Sequence, residues 1–211
     1  MTDETLPLRF ETRLALAELP WFEEDHGEVV LADKSVPPVI DTHTHYALPH
    51  LSIHTIDIER ETPDSNLLLG RCCAHHLDVR ANQCFGPNEL AGLKRELVLG
   101  GLTGKGKRRD HTAPNLARDM RQMNVVQSVV LAIDFFFPNN HARDTLTTAR
   151  GRSEVVGYGS VHPRSLFPKV KLEEQLHLGA RGIKLHPPNQ TFRPDAWYAM
   201  RIYRMCGKEN L

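Results

Sequence analysis

Four stretches of the chain gather β-branched and other apolar residues into runs of strand length, and each ends at a proline or a polar cluster. The first, VIDTHTHY (39–46), follows the double proline Pro37–Pro38; the others are NVVQSVVLAID (124–134), EVVGYGSVHP (154–163) and ARGIKLHP (180–187). Near-continuous apolar runs of this kind predict strands of a parallel sheet covered on both faces. Helical patterns lie between and after them. Thr112 is placed to cap a helix containing Pro114, Leu116, Met120 and Met123; Asn140–Ala149 offers a second; Pro168–Leu178, closed by Gly179, a third. A fourth spans Asp195–Cys206, closed by Gly207, with Trp197, Met200 and Ile202 facing the sheet. Strands alternating with helices predict an α/β fold of about four parallel βα units.

One connection breaks the rhythm. Residues 46 to 123 separate the first strand from the second, far beyond an ordinary βα loop, so they are expected to form an inserted elaboration. Within it NELAGLKRELVLGG reads as an amphipathic helix stopped by Gly100 and Gly101. Residues 1–35 form an N-terminal extension, a small cap or β-ribbon, ahead of one domain over 36–211.

Charge narrows the partners. Lys plus Arg equals Asp plus Glu at 26 each, so no net field draws the chain to nucleic acid or an anionic membrane, and a small-molecule substrate is expected. The N-terminus is acidic where a secretory signal would be basic and then apolar, which predicts a cytoplasmic protein. The four cysteines, an adjacent pair and two strays, make a poor disulfide framework in a chain of 211 residues that can build a core without staples.

Twelve histidines are more than packing requires, and their positions carry the chemistry. Side chains alternate across a strand, so Asp41, His43 and His45 share one face, with both imidazoles at the strand's C-terminal end. Two imidazoles at i and i+2 can converge on one cation, with Asp41 behind them to orient a ring. The plain alternative is a pair of hydrogen-bonded histidines at a strand end. On the fourth strand Lys184 and His186 share one face while Ile183 and Leu185 share the other. A lysine facing inward there is paired, neutral, used, or snorkelling at the rim. Asp134 and His162 end strands two and three at the same rim, where a turn or capping role competes with chemistry.

The spacing D-x-H-x-H on the first strand, followed much later by G-A-R-G-I-K-L-H-P, resembles the amidohydrolase superfamily, especially the branch that also contains metal-dependent decarboxylases. The likeness runs over about 38–211. It implies a (β/α)₈ barrel of which 36–211 is the N-terminal half, a partial TIM-type barrel. It also implies a divalent metal, zinc first and manganese as the alternative, held by His43 and His45, with Asp41 behind them and Lys184 and His186 as candidate catalytic groups. In some members a carboxylated lysine of strand four bridges two metals, and Lys184 occupies a comparable place. Members draw further ligands from strands five, six and eight; with four strands visible, this chain alone is expected to be inactive or incomplete, and to associate with itself or a complementary half-barrel. The activity implied is hydrolysis of a carbonyl-type bond by activated water, with decarboxylation, or an inactive assembly partner, as alternatives.

Other signals carry less. G-L-T-G-K-G-K-R (101–108) imitates a phosphate loop, yet Arg108 stands where Ser or Thr belongs and no strand leads into it. Lys105, Lys107, Arg108 and Arg109 then read as a solvated basic loop, and Cys72, Cys73, His75 and His76 are too crowded to surround one ion.

Overall fold

The computed structural model describes residues 14–48, 56–62 and 107–211, short strand pieces at 9–10 and 77–78, and single helical positions at 91, 95 and 98. The Cys72–His76 cluster, the 101–106 loop and most of the amphipathic segment around 88–101 lie outside the described residues, although Ala91, Arg95 and Val98 are helical and exposed.

Strand β1 (Arg9–Phe10) pairs antiparallel with β5 (Leu77–Asp78). Within the N-terminal extension, β2 (Phe22–Asp25) and β3 (Glu28–Leu31) form an antiparallel hairpin that turns through His26 and Gly27. The central element is a three-stranded sheet of β4 (Val39–Thr44), β6 (Val125–Leu131) and β7 (Val155–Tyr158), all parallel in the order β4-β6-β7.

The fourth apolar run joins this sheet but hardly forms a strand. Ile183 makes a single parallel bridge to Gly159, supported by Arg181 N–H to Gly157 O (3.0 Å), Gly159 N–H to Gly182 O (2.9 Å) and Lys184 N–H to Gly159 O (2.8 Å). Pairing stops because the chain turns at once through Pro187 and Pro188, which have no N–H, while the His186 N–H is taken by the Gln190 side chain at 2.7 Å. Tyr158 lies across Gly182: a Cβ there would stand 2.4 Å from the ring, so the approach of the two strands requires glycine. Where β7 ends, a side chain replaces a neighbouring strand. Gln175 accepts from Ser160 N–H at 2.8 Å and donates to Ser160 O at 2.9 Å, and a Cβ on Gly159 would collide with its carboxamide at 2.0 Å.

Four helices are described in full: α1 (Ala113–Gln122), α2 (His141–Ala149), α3 (Pro168–His177) and α4 (Trp197–Lys208). For the first three the boundaries agree with expectation but the capping does not: Thr112 and Asn140 stand at the N-cap positions of α1 and α2 without a side-chain bond to their helices, and Gly179 at φ 92° follows α3. The fourth differs. Gly207 stays inside α4, which runs on to Lys208, because one glycine in a helix costs about 1 kcal/mol and does not by itself stop it. The buried stripe is also rotated from expectation: Ala199 and Ile202 are buried while Trp197 is 73% exposed and Met200 lies at the surface. Two apolar arcs compete on this helix, one through Trp197 and Met200 and one through Ala199, Ile202, Met205 and Cys206, and the second enters the core.

The core has two centres. Tyr46, Leu48, Ala113 and Val130 pack together beneath α1, and Val161, Leu172 and Ile202 pack with Ile183 and Leu185 between sheet, α3 and α4. Among the described residues β4 has β6 as its strand neighbour on one side, and Val39 and Ile40 at its start are exposed. No helix among the described residues is long and apolar enough to cross a membrane.

Candidate metal centre

His43 near the end of β4 and His45, one residue past the end of that strand, come together at the C-terminal end of the parallel sheet, where βα folds place their chemistry. Their Nε2 atoms are 3.2 Å apart, with ring planes inclined at 68°. Two ligands of a tetrahedral cation at 2.0–2.1 Å from the metal are about 3.3–3.4 Å from each other, so the pair stands near the separation that chelation needs.

The backbone fixes how His45 presents itself. Its Nδ1 lies 2.8 Å from the Leu131 carbonyl at the end of β6. A carbonyl only accepts, so Nδ1 carries the proton and, in the neutral ring, Nε2 carries the lone pair that a cation uses. Asp41 acts on the main chain: its Oδ1 accepts from the His43 N–H at 2.9 Å, across the irregular register of β4 between Asp41 and Thr44.

Lys184 reaches the pair from the fourth run, with Nζ 3.3 Å from His43 Nε2. The alternation behind this is visible on the other face, where Ile183 and Leu185 enter the core. Burial pushes the Lys184 amine below its ordinary pKa. His186, on the same face, is likewise lowered, first by burial and then by the charge of Lys184. Its Nδ1 accepts from the Asn189 N–H at 3.2 Å.

The two remaining rim residues are absorbed by the scaffold. Asp134 is buried, and its carboxylate accepts from Lys171 Nζ (3.0 and 2.7 Å), the His162 N–H (2.8 Å) and Asn139 Nδ2 (3.2 Å). His162 is buried beside it, its Nδ1 accepting from the Arg164 N–H at 3.1 Å, and burial lowers its pKa. Both serve the strand-to-loop junction.

Sequence reading passed over the residues that organise this end of the sheet: Lys171, Gln175 and Gln190. Nothing in a single sequence marks them, since a glutamine on a helix or in a turn is ordinarily solvated; only the partners reveal the role. The basic segment resolves into a 3-10 turn at Lys107–Asp110, where Asp110 is buried and accepts from Arg60 at 2.7 Å.

Among the described residues no group of three or more His, Cys, Asp or Glu side chains is arranged to hold a metal ion, so the donor set on view is two imidazoles with an amine beside them. No protein-family model, no curated protein and no solved structure matches the chain.

Proposed function

We propose that this chain forms part of a (β/α) barrel of the amidohydrolase type, and that His43 and His45 are two of the ligands of a divalent cation used to hydrolyse a carbonyl-type bond in a small molecule. Zinc is the first choice for neutral imidazoles, and manganese the second. The observation that carries the reading is the 3.2 Å separation of the two Nε2 atoms, with the His45 tautomer set for ligation by Leu131. The parallel order β4-β6-β7, extended by the Ile183 bridge, supports the barrel, since consecutive strands are neighbours as a barrel wall requires.

The pair fits such an ion as part of its shell, because catalytic zinc takes three protein ligands and the described residues offer two. A cation held there supplies Lewis acidity, polarising a substrate carbonyl and lowering the pKa of water. The chain's own residues do the rest. Leu131 keeps the His45 lone pair turned outward, and Asp41 fixes the main chain that carries His43. Lys184, whose amine burial pushes below its ordinary pKa, holds its Nζ 3.3 Å from His43 Nε2 and is placed to exchange a proton with a substrate group bound beside the pair.

Titrating the full chain with zinc and with manganese in a calorimeter tests this. Saturable uptake is expected, weakened at least about tenfold, or about 1.4 kcal/mol, by either His43→Ala or His45→Ala. Failure to take up either metal, or uptake unchanged in the double variant, would refute the reading.

A further inference from the structure

We propose that the backbone fixes His186 as a hydrogen-bond donor to a substrate oxygen and not as a ligand of the cation, with Gln190 as the residue that positions it. The proposal rests on the reading of His43 and His45 as a metal pair and assigns the role of their neighbour.

Main-chain groups have a hydrogen-bonding sense that cannot change. A backbone C=O accepts and a backbone N–H donates. His45 Nδ1 meets the Leu131 C=O, so its proton is on Nδ1 and its lone pair on Nε2. His186 Nδ1 meets the Asn189 N–H, so its lone pair is on Nδ1 and the proton of the neutral ring is on Nε2. Two rings on one side of the sheet are thus held in opposite tautomers. For Nε2 of His186 to ligate a cation, the proton would have to move to Nδ1, where it would face the Asn189 N–H donor head-on.

Gln190 makes this arrangement rigid. It is 1% exposed, and both main-chain groups of His186 end on it: the His186 N–H donates to Gln190 Oε1 at 2.7 Å, and the Gln190 N–H donates to the His186 C=O at 2.8 Å. The other end of the carboxamide donates to the Asp134 C=O at 2.7 Å, with Ser160 Oγ at 3.4 Å. One side chain therefore ties the turn bearing His186 to the ends of the second and third strands. Ser160 Oγ also donates to the Lys184 C=O at 2.8 Å, which holds the preceding inward residue in the same frame.

The functional consequence is a division of labour across one space. Lone pairs of His43 and His45 address the cation, while an N–H from the fourth run addresses oxygen. A fixed donor on the same side of the sheet as a Lewis acid would favour the charge that develops on a carbonyl oxygen during attack. The substrate class this implies carries a carbonyl or carboxylate oxygen directed at His186.

The test is long-range proton–nitrogen correlation of the histidine rings in the full-length chain, assigned by single His→Gln variants, first without metal and then with cadmium-113 as a spin-active zinc surrogate. Expected are an Nε2–H tautomer for His186, an Nδ1–H tautomer for His45, and cadmium coupling to His43 and His45 but not to His186. Gln190→Met is expected to turn the His186 signals into a tautomer average while His45 is unaffected. If that variant fails to fold, Asn189→Pro removes the donor directly and has the same expected result. An Nδ1–H tautomer for His186, or cadmium coupling to it, overturns the proposal; a His186 tautomer indifferent to both variants overturns the role given to Gln190. A chain that takes up no cadmium sinks the metal reading alone, and the metal-free tautomer of His186 still decides the present one.

Discussion

Replacing Asp134 by alanine strips the rim of its most heavily used acceptor, and the structure sets the scale of the loss. The His162 N–H, buried beside Asp134, is left without its acceptor at 2.8 Å, and an unsatisfied buried donor costs about 1–3 kcal/mol. The ion pair to Lys171 goes as well. Breaking a fully buried pair costs about 3–5 kcal/mol, but the Lys171 side chain is 34% exposed, so water recovers much of it and about 1 kcal/mol is the appropriate share. Together the expected loss is about 2–4 kcal/mol, a large fraction of the 5–15 kcal/mol typical of a domain. Asp134→Asn keeps the shape and an acceptor for the His162 N–H while giving up the charge, so it is expected to lose about half as much. Urea unfolding followed by tryptophan fluorescence reads these values, and a cycle of Asp134→Asn with Lys171→Met isolates the pair, with a coupling of about 1 kcal/mol. An alanine variant within about 0.5 kcal/mol of wild type would refute the reasoning, as would strict additivity in the cycle. Zinc uptake by Asp134→Asn should match wild type, because Asp134 is spent on the scaffold.

Gly182→Ala is expected to cost about 1–3 kcal/mol, since the new methyl meets the Tyr158 ring at 2.4 Å and one of the two strands must shift. Thermal melts should show the penalty vanish in the Gly182→Ala, Tyr158→Ala background; a single variant as stable as wild type removes the argument. For His162 the sign follows from its lowered pKa, which burial causes first and the charges of Arg164 and Lys171 assist, against the raising effects of Asp134 and of the Gln190 backbone. The fold favours the neutral ring, so the unfolded chain binds the proton more readily. The stabilisation is complete above the unfolded value of about 6.5 and is lost as pH falls below it, at no more than about 1.4 kcal/mol per pH unit, levelling once the folded ring also protonates. His162→Gln should therefore flatten the decline in stability measured by urea titration from pH 7 to 5, and a steeper decline in the variant would contradict this.

Where the sequence was informative, one dominant force was at work. Desolvation of Val, Ile and Leu marks β6 and β7 whatever surrounds them, and alternation then sends Lys184 toward His43 while Ile183 and Leu185 enter the core. Burial could not be inferred where two patterns were nearly equal, as on α4, whose two apolar arcs differ only in which enters the core. The length of the fourth strand was hidden for another reason: it depends on a proline pair and on a glutamine side chain that captures the next main-chain N–H. The convergence of His43 with His45 was legible from their spacing, but the tautomer of each ring depends on which main-chain group faces it, and that belongs to tertiary structure.

Gln175 binds both main-chain groups of Ser160, so this amide just beyond β7 depends on a helix and not on another strand. Its protection against hydrogen exchange can then last only as long as α3 stays docked. Local opening of that helix would release the amide at 160 at the same moment and, by withdrawing Lys171 from Asp134, loosen the acceptor of the His162 amide, which makes α3 and the tip of the sheet one cooperative unit.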